Sequence, residues 1–391
     1  MVKLFRRKDF NFVFDADTMS LYEVSDNVAR QIEELEAIAS EERVTCVVQA
    51  SDVAPASAQS KGLDRLVLLT THACNLQCSY CFADYVKTHA TPAHMSLDVA
   101  KAALRKLAPT GISRLQFFGG EPLISFEVIR SIIGFVEGDL RPLFPTLPVY
   151  TLTTNGTLIT EALAAYFAEK QIQITVSVDG TKEVHDAQRT TKRGAGSYDS
   201  VICGIEHLKK AGLTVRVESV YTANHLSHNQ GIVDTVDFLR SVGAEQVHLT
   251  PAIGKSGNDL VHINGISLGP DYEKATDSVM DSFLSDKPIK MQYIFYIIEA
   301  LAQGGKEYLC DAGIKGLTVD TNGDVFPCYA VMHSSVSMGN VLDETFPGTT
   351  FAEVKGLLLA SKKSTFAKCG RCWARTLCSS CYGDSFAAEK S

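Results

Sequence analysis

The stretch Cys74-Asn-Leu-Gln-Cys78-Ser-Tyr-Cys81 places three cysteines at CxxxCxxC spacing on a short loop. It follows an apolar run, Leu66-Val-Leu-Leu-Thr70, which is typical of a buried strand in a parallel sheet. Three thiolates can bind three irons of a 4Fe–4S cube and leave the fourth iron open. Because an open metal position admits the reacting ligand, this loop predicts a catalytic cluster at the end of a strand. Three unrelated core cysteines are the alternative.

Three more motifs each follow a predicted strand. Phe118-Gly119-Gly120-Glu121-Pro122 contains two glycines that permit close backbone approach. Thr154-Asn155 and Ser177-Val178-Asp179-Gly180 offer polar side chains, although such residues also favour turns without any ligand. Arg189 has a guanidinium fork that can bind two oxygens, whereas His185 is predicted to pack or to cap a helix.

Together, these motifs resemble those of the radical S-adenosylmethionine (SAM) enzymes. In that family the open iron takes the amino and carboxylate groups of SAM, and one electron cleaves SAM to a 5′-deoxyadenosyl radical. The resemblance makes Cys74, Cys78 and Cys81 the cluster ligands and the catalytic set. It also implies SAM-binding residues, namely Tyr80, Phe82, Gly119, Gly120, Glu121, Asn155, Ser177 and Arg189. Among these, Glu121 would accept from the SAM amino group, and Arg189 would bind the SAM carboxylate.

Composition excludes several other classes. The 391 residues are 45% hydrophobic and carry a net charge of −8, so a large core is expected and a nucleic-acid partner is not. No apolar run reaches the roughly 18 residues of a membrane span, and the basic N-terminus lacks the apolar region of a secretory signal. Eleven cysteines without a secretory signal indicate metal sites in a cytoplasmic protein, without membrane partners.

The middle of the chain alternates strands with helices, which predicts an α/β fold with a parallel sheet. The predicted strands cover 65–70, 114–118, 148–153, 172–178, 214–221 and 246–250. The predicted helices include Leu97–Leu107, Phe126–Val136, Glu161–Lys170 and Ser200–Ala211. Six such units suit a partial (β/α)6 TIM-like barrel over residues 61–300, open at one side for a peptide.

Residues 1–60 are predicted to form a separate element and a linker. The runs Phe10–Phe14 and Ser20–Val24 are strand-like, and Ser25 precedes an amphipathic helix. The apolar face of that helix is predicted to contain Val28, Ile32, Leu35 and Ile38. This pattern resembles the winged-helix-like peptide-recognition element of peptide-modifying radical enzymes, which implies a precursor peptide bound through its leader segment. The alternative is an N-terminal cap on the barrel.

Residues 301–391 form a small cysteine-rich segment. Its cysteines are Cys310, Cys328, Cys369, Cys372, Cys378 and Cys381. The spacing resembles the SPASM domain, which carries auxiliary iron–sulfur clusters, and zinc is the competing ligand. The Asn-Gly turn within Leu317–Phe326 predicts a hairpin. The remaining cysteines, Cys46 and Cys203, are predicted to lie in the core.

The resemblance implies two auxiliary 4Fe–4S clusters with interleaved ligands. Cys310, Cys328 and Cys381 would hold the first, and Cys369, Cys372 and Cys378 the second. The last pair is spaced CxxC instead of the usual CxxxC, and a further final cysteine is missing. An iron of either cluster is therefore open, or bound by Asp384, His333, water or a substrate thiolate.

The whole chain resembles thioether-forming maturases of ribosomal peptides, which predicts a crosslink from a Cys sulfur to a carbon. One alternative is a carbon–carbon crosslinking cyclase. Another is sulfatase-maturase-like oxidation of Cys or Ser, although that family has an aspartate where this chain has Tyr329. An idle SAM-binding peptide scaffold is the non-enzyme alternative. The enzyme readings require an electron donor such as flavodoxin or ferredoxin.

Overall fold

The structure is a computed structural model of the whole chain. It describes residues 2–7, 10–16, 19–41, 62–83, 94–252, 268–282, 289–291, 294, 296–297, 300, 305–378 and 381. The chain divides into two compact units. The first contains Met1–Gln59, Tyr296–Cys310 and Ala360–Ser380, and the second contains Ser60–Phe295, Asp311–Leu359 and Cys381–Ser391. No helix among the described residues is long and apolar enough to cross a membrane.

The first unit begins with a three-stranded antiparallel sheet in the order β1-β2-β3. Its strands are β1 (Val2–Arg7), β2 (Phe10–Asp15) and β3 (Ser20–Val24), and helix α1 (Asp26–Glu41) follows. The structure confirms β2, β3 and α1, whereas β1 was not predicted. The basic residues of β1 gave no strand pattern. The strand forms because β1 pairs with β2 along its whole length.

Ser25 caps α1 as predicted, because its hydroxyl accepts from the backbone N–H of Val28 at 3.5 Å. The predicted apolar face is partly wrong. Val28 is 39% exposed and Ala29 is fully buried in its place. The small alanine side chain allows the helix to pack closely on the sheet. The side chains of Leu35 and Ile38 lie outside the described residues.

The C-terminal part of the first unit packs on that sheet through the single tryptophan of the chain. The ring of Trp373 contacts the rings of Phe5 and Phe14 edge-on, at centroid distances of 5.1 and 6.3 Å. A short 3-10 helix, Lys363–Thr365, and helix α11 (Ala367–Gly370) precede it. The N-terminal sheet and the segment around Cys372 therefore belong to one packed body.

The second unit is built on a nine-stranded sheet. Its six central strands are parallel and adjacent in chain order, as expected for a partial barrel. They are β4 (Arg65–Thr71), β6 (Arg114–Gly119), β7 (Val149–Thr154), β8 (Gln173–Ser177), β10 (Arg216–Tyr221) and β11 (Gln246–Pro251). These strands confirm all six predicted runs.

Helices connect the parallel strands. They are α2 (Leu97–Leu107), α3 (Phe126–Glu137), α4 (Glu161–Glu169), α5 (Lys182–Gln188), α6 (Tyr198–Lys210), α7 (Ala223–Ser227), α8 (Ile232–Ser241), α9 (Gly269–Ser282) and, later, α10 (Thr349–Ala360). Two short strands, β5 (Leu76–Cys78) and β9 (Arg189–Thr191), pair antiparallel beside the cysteine loop. This pairing joins Cys78 directly to Arg189.

Further strands extend the sheet at both edges. At one edge, β12 (Lys290–Met291) pairs parallel with β11. At the other edge, β13 (Gly316–Val319) runs parallel to β4 and forms the predicted hairpin with β14 (Val325–Phe326). The predicted SPASM segment thus contributes strands to the barrel sheet. The limits given above for the three domains remain predictions.

Burial alternates along β6, β7, β8, β10 and β11, whereas every residue of β4 after Arg65 is buried. In β8 and β10, Ile174, Val176 and Val217 are buried, whereas the intervening Thr175, Ser177 and Glu218 are only half-buried. One face of the sheet therefore packs on the helices. The other face carries polar side chains, which lie at the centre of the partial barrel and remain accessible to a ligand.

Candidate functional site

The three predicted cluster ligands share one loop at the end of β4. The Cys81 N–H donates to the carbonyl of Cys78 at 3.2 Å, and the Cys74 Sγ accepts from the N–H of Leu76 at 3.5 Å. Burial raises the pKa of Cys78 to about 11, Arg189 opposes the rise, and the charges of Cys81 and Cys74 add to it. The three sulfurs are thus electrostatic neighbours, and their donor set fits an iron–sulfur cluster.

The predicted glycine pair is required by the close approach of this loop. Gly119 has a φ of +147°, and a Cβ there would lie 2.1 Å from the carbonyl oxygen of Thr71. A Cβ on Gly120 would lie 2.3 Å from the carbonyl oxygen of Ala73. The N–H of Gly120 also donates to the carbonyl oxygen of Thr71 at 2.8 Å. The two glycines therefore fix the backbone that leads into Cys74.

Glu121 lies fully buried behind this loop. Its carboxylate accepts from the Thr154 hydroxyl at 2.7 Å, the Asn155 N–H at 2.7 Å and the Leu123 N–H at 3.0 Å. Burial raises the pKa of Glu121 to about 7, although the three hydrogen bonds act in the opposite direction. These bonds join two predicted SAM-binding loops. The predicted bond from Glu121 to the SAM amino group stays a prediction.

Asn155 is joined to the cysteine loop by its side chain. Its Nδ2 donates to the Asn75 Oδ1 at 2.8 Å and lies 4.0 Å from the Cys74 Sγ. Its Oδ1 accepts from the N–H and the hydroxyl of Thr157 at 3.0 and 2.7 Å. Asn155 therefore lies beside the predicted cluster, and its turn bonds account for its conformation without a ligand.

Asp179 forms the centre of a buried network. Its carboxylate accepts from the Arg189 Nε and Nη2 at 2.8 and 3.0 Å, from the Tyr80 hydroxyl at 2.6 Å and from the Gln188 amide at 2.7 Å. Burial opposes the charge on Asp179, but the Arg189 guanidinium outweighs it and holds the pKa at about 2. The two nitrogens that Arg189 directs to Asp179 are therefore engaged within the protein.

Two other predicted SAM-binding residues lie at the open face of the barrel. Ser177 ends β8 and pairs in register with Glu218. The ring of Phe82 is 49% exposed and lies 5.9 Å from that of Tyr329, which stacks on Phe118 at 4.3 Å. Tyr329 follows Cys328 directly, so the aromatic group joins the barrel mouth to the SPASM segment.

His72 and Asp179 support the cysteine loop in roles that sequence patterns signal only weakly. His72 Nε2 lies 2.5 Å from Asp320 Oδ1, and both side chains are about 7% exposed. The contact ties the loop before Cys74 to the end of β13. Asp179 was named as a turn residue or ligand, and its role as a hub was missed because the pairing needs the fold.

The C-terminal cysteines fall into both units. In the second unit, burial raises the pKa of Cys328, and the neighbouring charge of Cys381 adds to the rise. The Cys328 Sγ accepts from the N–H of Ala330 at 3.4 Å, a bond suited to a thiolate. In the first unit, the Cys372 N–H donates to the carbonyl of Cys369 at 3.0 Å. The ligand sets themselves stay a prediction.

Two further cysteine predictions differ in outcome. Cys203 was predicted to lie in the core, but the structure shows it exposed on α6. Its neighbours Gly204 and Ile205 are buried instead, because the helix turns about 100° per residue and only part of the apolar run faces inward. Cys46 lies outside the described residues.

Among the described residues, no three His, Cys, Asp or Glu side chains are placed to hold a single metal ion.

This geometry defines a class: a partial barrel with a three-thiol loop after its first strand, as in enzymes that bind SAM at a cluster. Comparison with known proteins agrees. The radical SAM superfamily model matches residues 68–239, and the SPASM iron–sulfur cluster-binding domain matches residues 310–373. The chain therefore belongs to the radical SAM enzymes that carry a SPASM domain. These two domains imply SAM and 4Fe–4S clusters as its cofactors.

Individual relatives are similar over most of the chain. A cysteine-type anaerobic sulfatase-maturating enzyme of Clostridium novyi is 25% identical over 336 residues, covering 82% of this chain and 87% of the relative. Native anSMEcpe with bound AdoMet and Kp18Cys peptide superposes with a TM-score of 0.66 at 21% identity, covering 81% and 88%. Streptococcus suis SuiB bound to the precursor peptide SuiA gives a TM-score of 0.61 at 16% identity, covering 98% and 95%. These structures share the fold of this chain.

Proposed function

We propose that this enzyme is a peptide maturase that joins a Cys sulfur to a carbon of a ribosomally made precursor peptide. The observation that carries the peptide substrate is the N-terminal sheet. Within the described residues β3 pairs only with β2, so its outer edge offers backbone groups to an added strand. Leu21 and Tyr22 on β3 are 58% and 52% exposed, which suits an apolar leader segment. The similarity in fold to SuiB, solved with a precursor peptide, supports the same substrate class.

The proposed reaction removes two hydrogens from the peptide, one from sulfur and one from carbon. When bound, the cluster held by Cys74, Cys78 and Cys81 and its SAM would supply a 5′-deoxyadenosyl radical that removes hydrogen from carbon. One SAM would be consumed per crosslink, giving methionine and 5′-deoxyadenosine. The thiol proton would be released, and the electron left over when the carbon radical bonds to sulfur would pass to an auxiliary cluster. Cys74, Cys78 and Cys81 would hold the cluster, while Asn155 and Ser177 would orient SAM. A flavodoxin or ferredoxin would deliver the initiating electron.

The protein's own contribution is placement and exclusion of water. Phe82, Phe118 and Tyr329 form an aromatic wall at the open face of the barrel. We infer that this wall covers the reacting carbon and separates it from solvent. The polar strand face that carries Ser177 and Glu218 would bind the SAM and peptide groups behind it.

Oxidation of a peptide Cys or Ser is the second candidate, favoured by the Clostridium novyi relative. In sulfatase maturases an aspartate follows the matching cysteine as general base, but here that residue is Tyr329. Burial raises the pKa of Tyr329 well above its usual value, so its hydroxyl stays protonated at neutral pH. A protonated phenol does not accept a proton, which disfavours this reaction.

The decisive experiment incubates the anaerobically reconstituted enzyme with SAM, reductant and a Cys-containing precursor peptide. Mass spectrometry after alkylation separates the candidates. Loss of two hydrogens together with the alkylatable thiol supports the thioether. The same loss with the thiol intact indicates a carbon–carbon bond, and a hydrazide-reactive aldehyde indicates the oxidation.

Two controls complete this experiment. A leaderless peptide should react poorly if β3 binds the leader, and a Cys-to-Ala peptide should give no thioether. Binding of the peptide without any SAM cleavage or modification would instead indicate an idle scaffold. Reconstitution should also give roughly 12 iron per chain if three four-iron clusters form, whereas roughly 4 would remove the auxiliary clusters.

A further inference from the structure

Lys363 has an unusual environment for a lysine. Its side chain is 1% exposed and is among the largest fully buried side chains, whereas the preceding Lys362 is exposed. Lysine is almost never fully buried unless its charge is paired, because removing an ammonium from water is costly. The burial of Lys363 therefore requires a compensating group in the first unit.

The hydrogen bonds of Lys363 give its Nζ acceptors but do not neutralise its charge. Its Nζ donates to the carbonyl oxygen of Cys378 at 2.6 Å and to that of Lys306 at 2.9 Å. Both acceptors are neutral. Glu307 lies near enough to act electrostatically, but its Oε1 accepts from the hydroxyl of Ser364.

Two cysteines, Cys378 and Cys369, also lie near enough to act electrostatically on Lys363, as does the cation of Lys306. Burial lowers the pKa of Lys363, whereas the charges of Cys378, Glu307 and Cys369 raise it. Cys369 and Cys378 belong to the proposed second auxiliary cluster, with Cys372. A cluster bound by thiolates is anionic, and it would place its negative charge beside the buried ammonium.

We propose that Lys363 is a fixed positive charge that raises the reduction potential of the cluster held by Cys369, Cys372 and Cys378. Reduction adds an electron to an already anionic cluster, so a nearby cation stabilises the reduced state more than the oxidised state. The charge acts strongly because it is buried, where the effective dielectric constant is low and salt screens little. The inference rests on the proposed ligand set but not on the peptide substrate.

The experiment compares Lys363→Gln, which keeps an amide donor but removes the charge, with Lys363→Arg, which keeps the charge. Lys362→Gln is the matched control, because it makes the same change on the exposed neighbouring lysine. Each full-length protein is reconstituted anaerobically and its iron is counted. The midpoint potential of each cluster is then measured by redox titration with electron paramagnetic resonance, without SAM or peptide.

In Lys363→Gln, the equilibrium constant for one-electron reduction of one cluster should fall about tenfold. This corresponds to a midpoint potential lower by about 59 mV. Lys363→Arg and Lys362→Gln should leave the potential within a small fraction of that shift. The shifted signal should be the one that disappears in Cys372→Ser.

Three results would overturn the proposal. The first is an unchanged potential in Lys363→Gln. The second is an equal shift in Lys362→Gln, which would indicate a general effect of net charge. The third is loss of this cluster from Lys363→Gln, with or without loss from Lys363→Arg, because Lys363 would then be needed for assembly. None of these results bears on the proposed peptide reaction.

Discussion

Replacing Asp179 with asparagine tests the buried network behind the SAM-binding loops. Asp179 accepts five hydrogen bonds, two of them from the Arg189 guanidinium and one from the N–H of Val220. Both side chains of the ion pair are 7% exposed or less. Asp179→Asn leaves the Arg189 charge buried without a partner, which costs about 3–5 kcal/mol in free energy of unfolding.

The control makes the same substitution in an exposed ion pair. Asp199 pairs with Lys182, and their side chains are 80% and 48% exposed. Asp199→Asn should therefore cost far less than Asp179→Asn, because solvent screens an exposed pair. Anaerobic urea unfolding followed by far-ultraviolet circular dichroism gives both values. Similar losses in the two variants would refute the assignment of Asp179 as the hub of a buried network.

The pH dependence gives a second readout. The pKa of Asp179 is about 2 in the folded protein, against 3.8 for an ordinary aspartate. Because the folded pKa is the lower one, the stabilisation is present above pH 3.8 and is lost as the pH falls toward 2. The stability difference between wild type and Asp179→Asn should shrink over that range. Adding Arg189→Gln to Asp179→Asn should recover part of the loss, since it removes the unpaired charge.

Three further predictions test the site and the first unit. Gly120→Ala should displace the cysteine loop, so the reconstituted protein should contain about 4 fewer iron atoms per chain. Gly134→Ala is the control. A Cβ there meets open space, so this change should stabilise α3 by about 0.5–1 kcal/mol. Glu121→Gln should remove a contribution to the free energy of unfolding that is present below pH 4.5 and is lost as the pH rises through about 7. An unchanged dependence of the urea midpoint on pH would contradict this prediction. Trp373→Ala should destabilise the first unit by about 1–3 kcal/mol through lost ring contacts with Phe5, while Trp373→Phe retains most of them, as thermal melts would show.

The outcome at the N-terminus shows how far local pattern carries a prediction. Alternating apolar residues predicted β2 and β3, and a serine before an apolar periodicity predicted the start of α1. The strand β1 was not predicted, because its charged sequence has little strand propensity of its own. Val28 was placed on the wrong side because the packed face of a helix depends on what the helix meets.

Local sequence patterns were enough to predict the class of the protein. The spacing of Cys74, Cys78 and Cys81 and the order of six strands are local properties, because the cluster ligands lie on one loop and each parallel strand lies beside the next. The contacts of Glu121, Asp179 and Lys363 could be identified only in the folded protein. Their partners come from separate strands and loops, and a buried polar or charged group meets its hydrogen-bond partners only once the chain has folded and removed it from water.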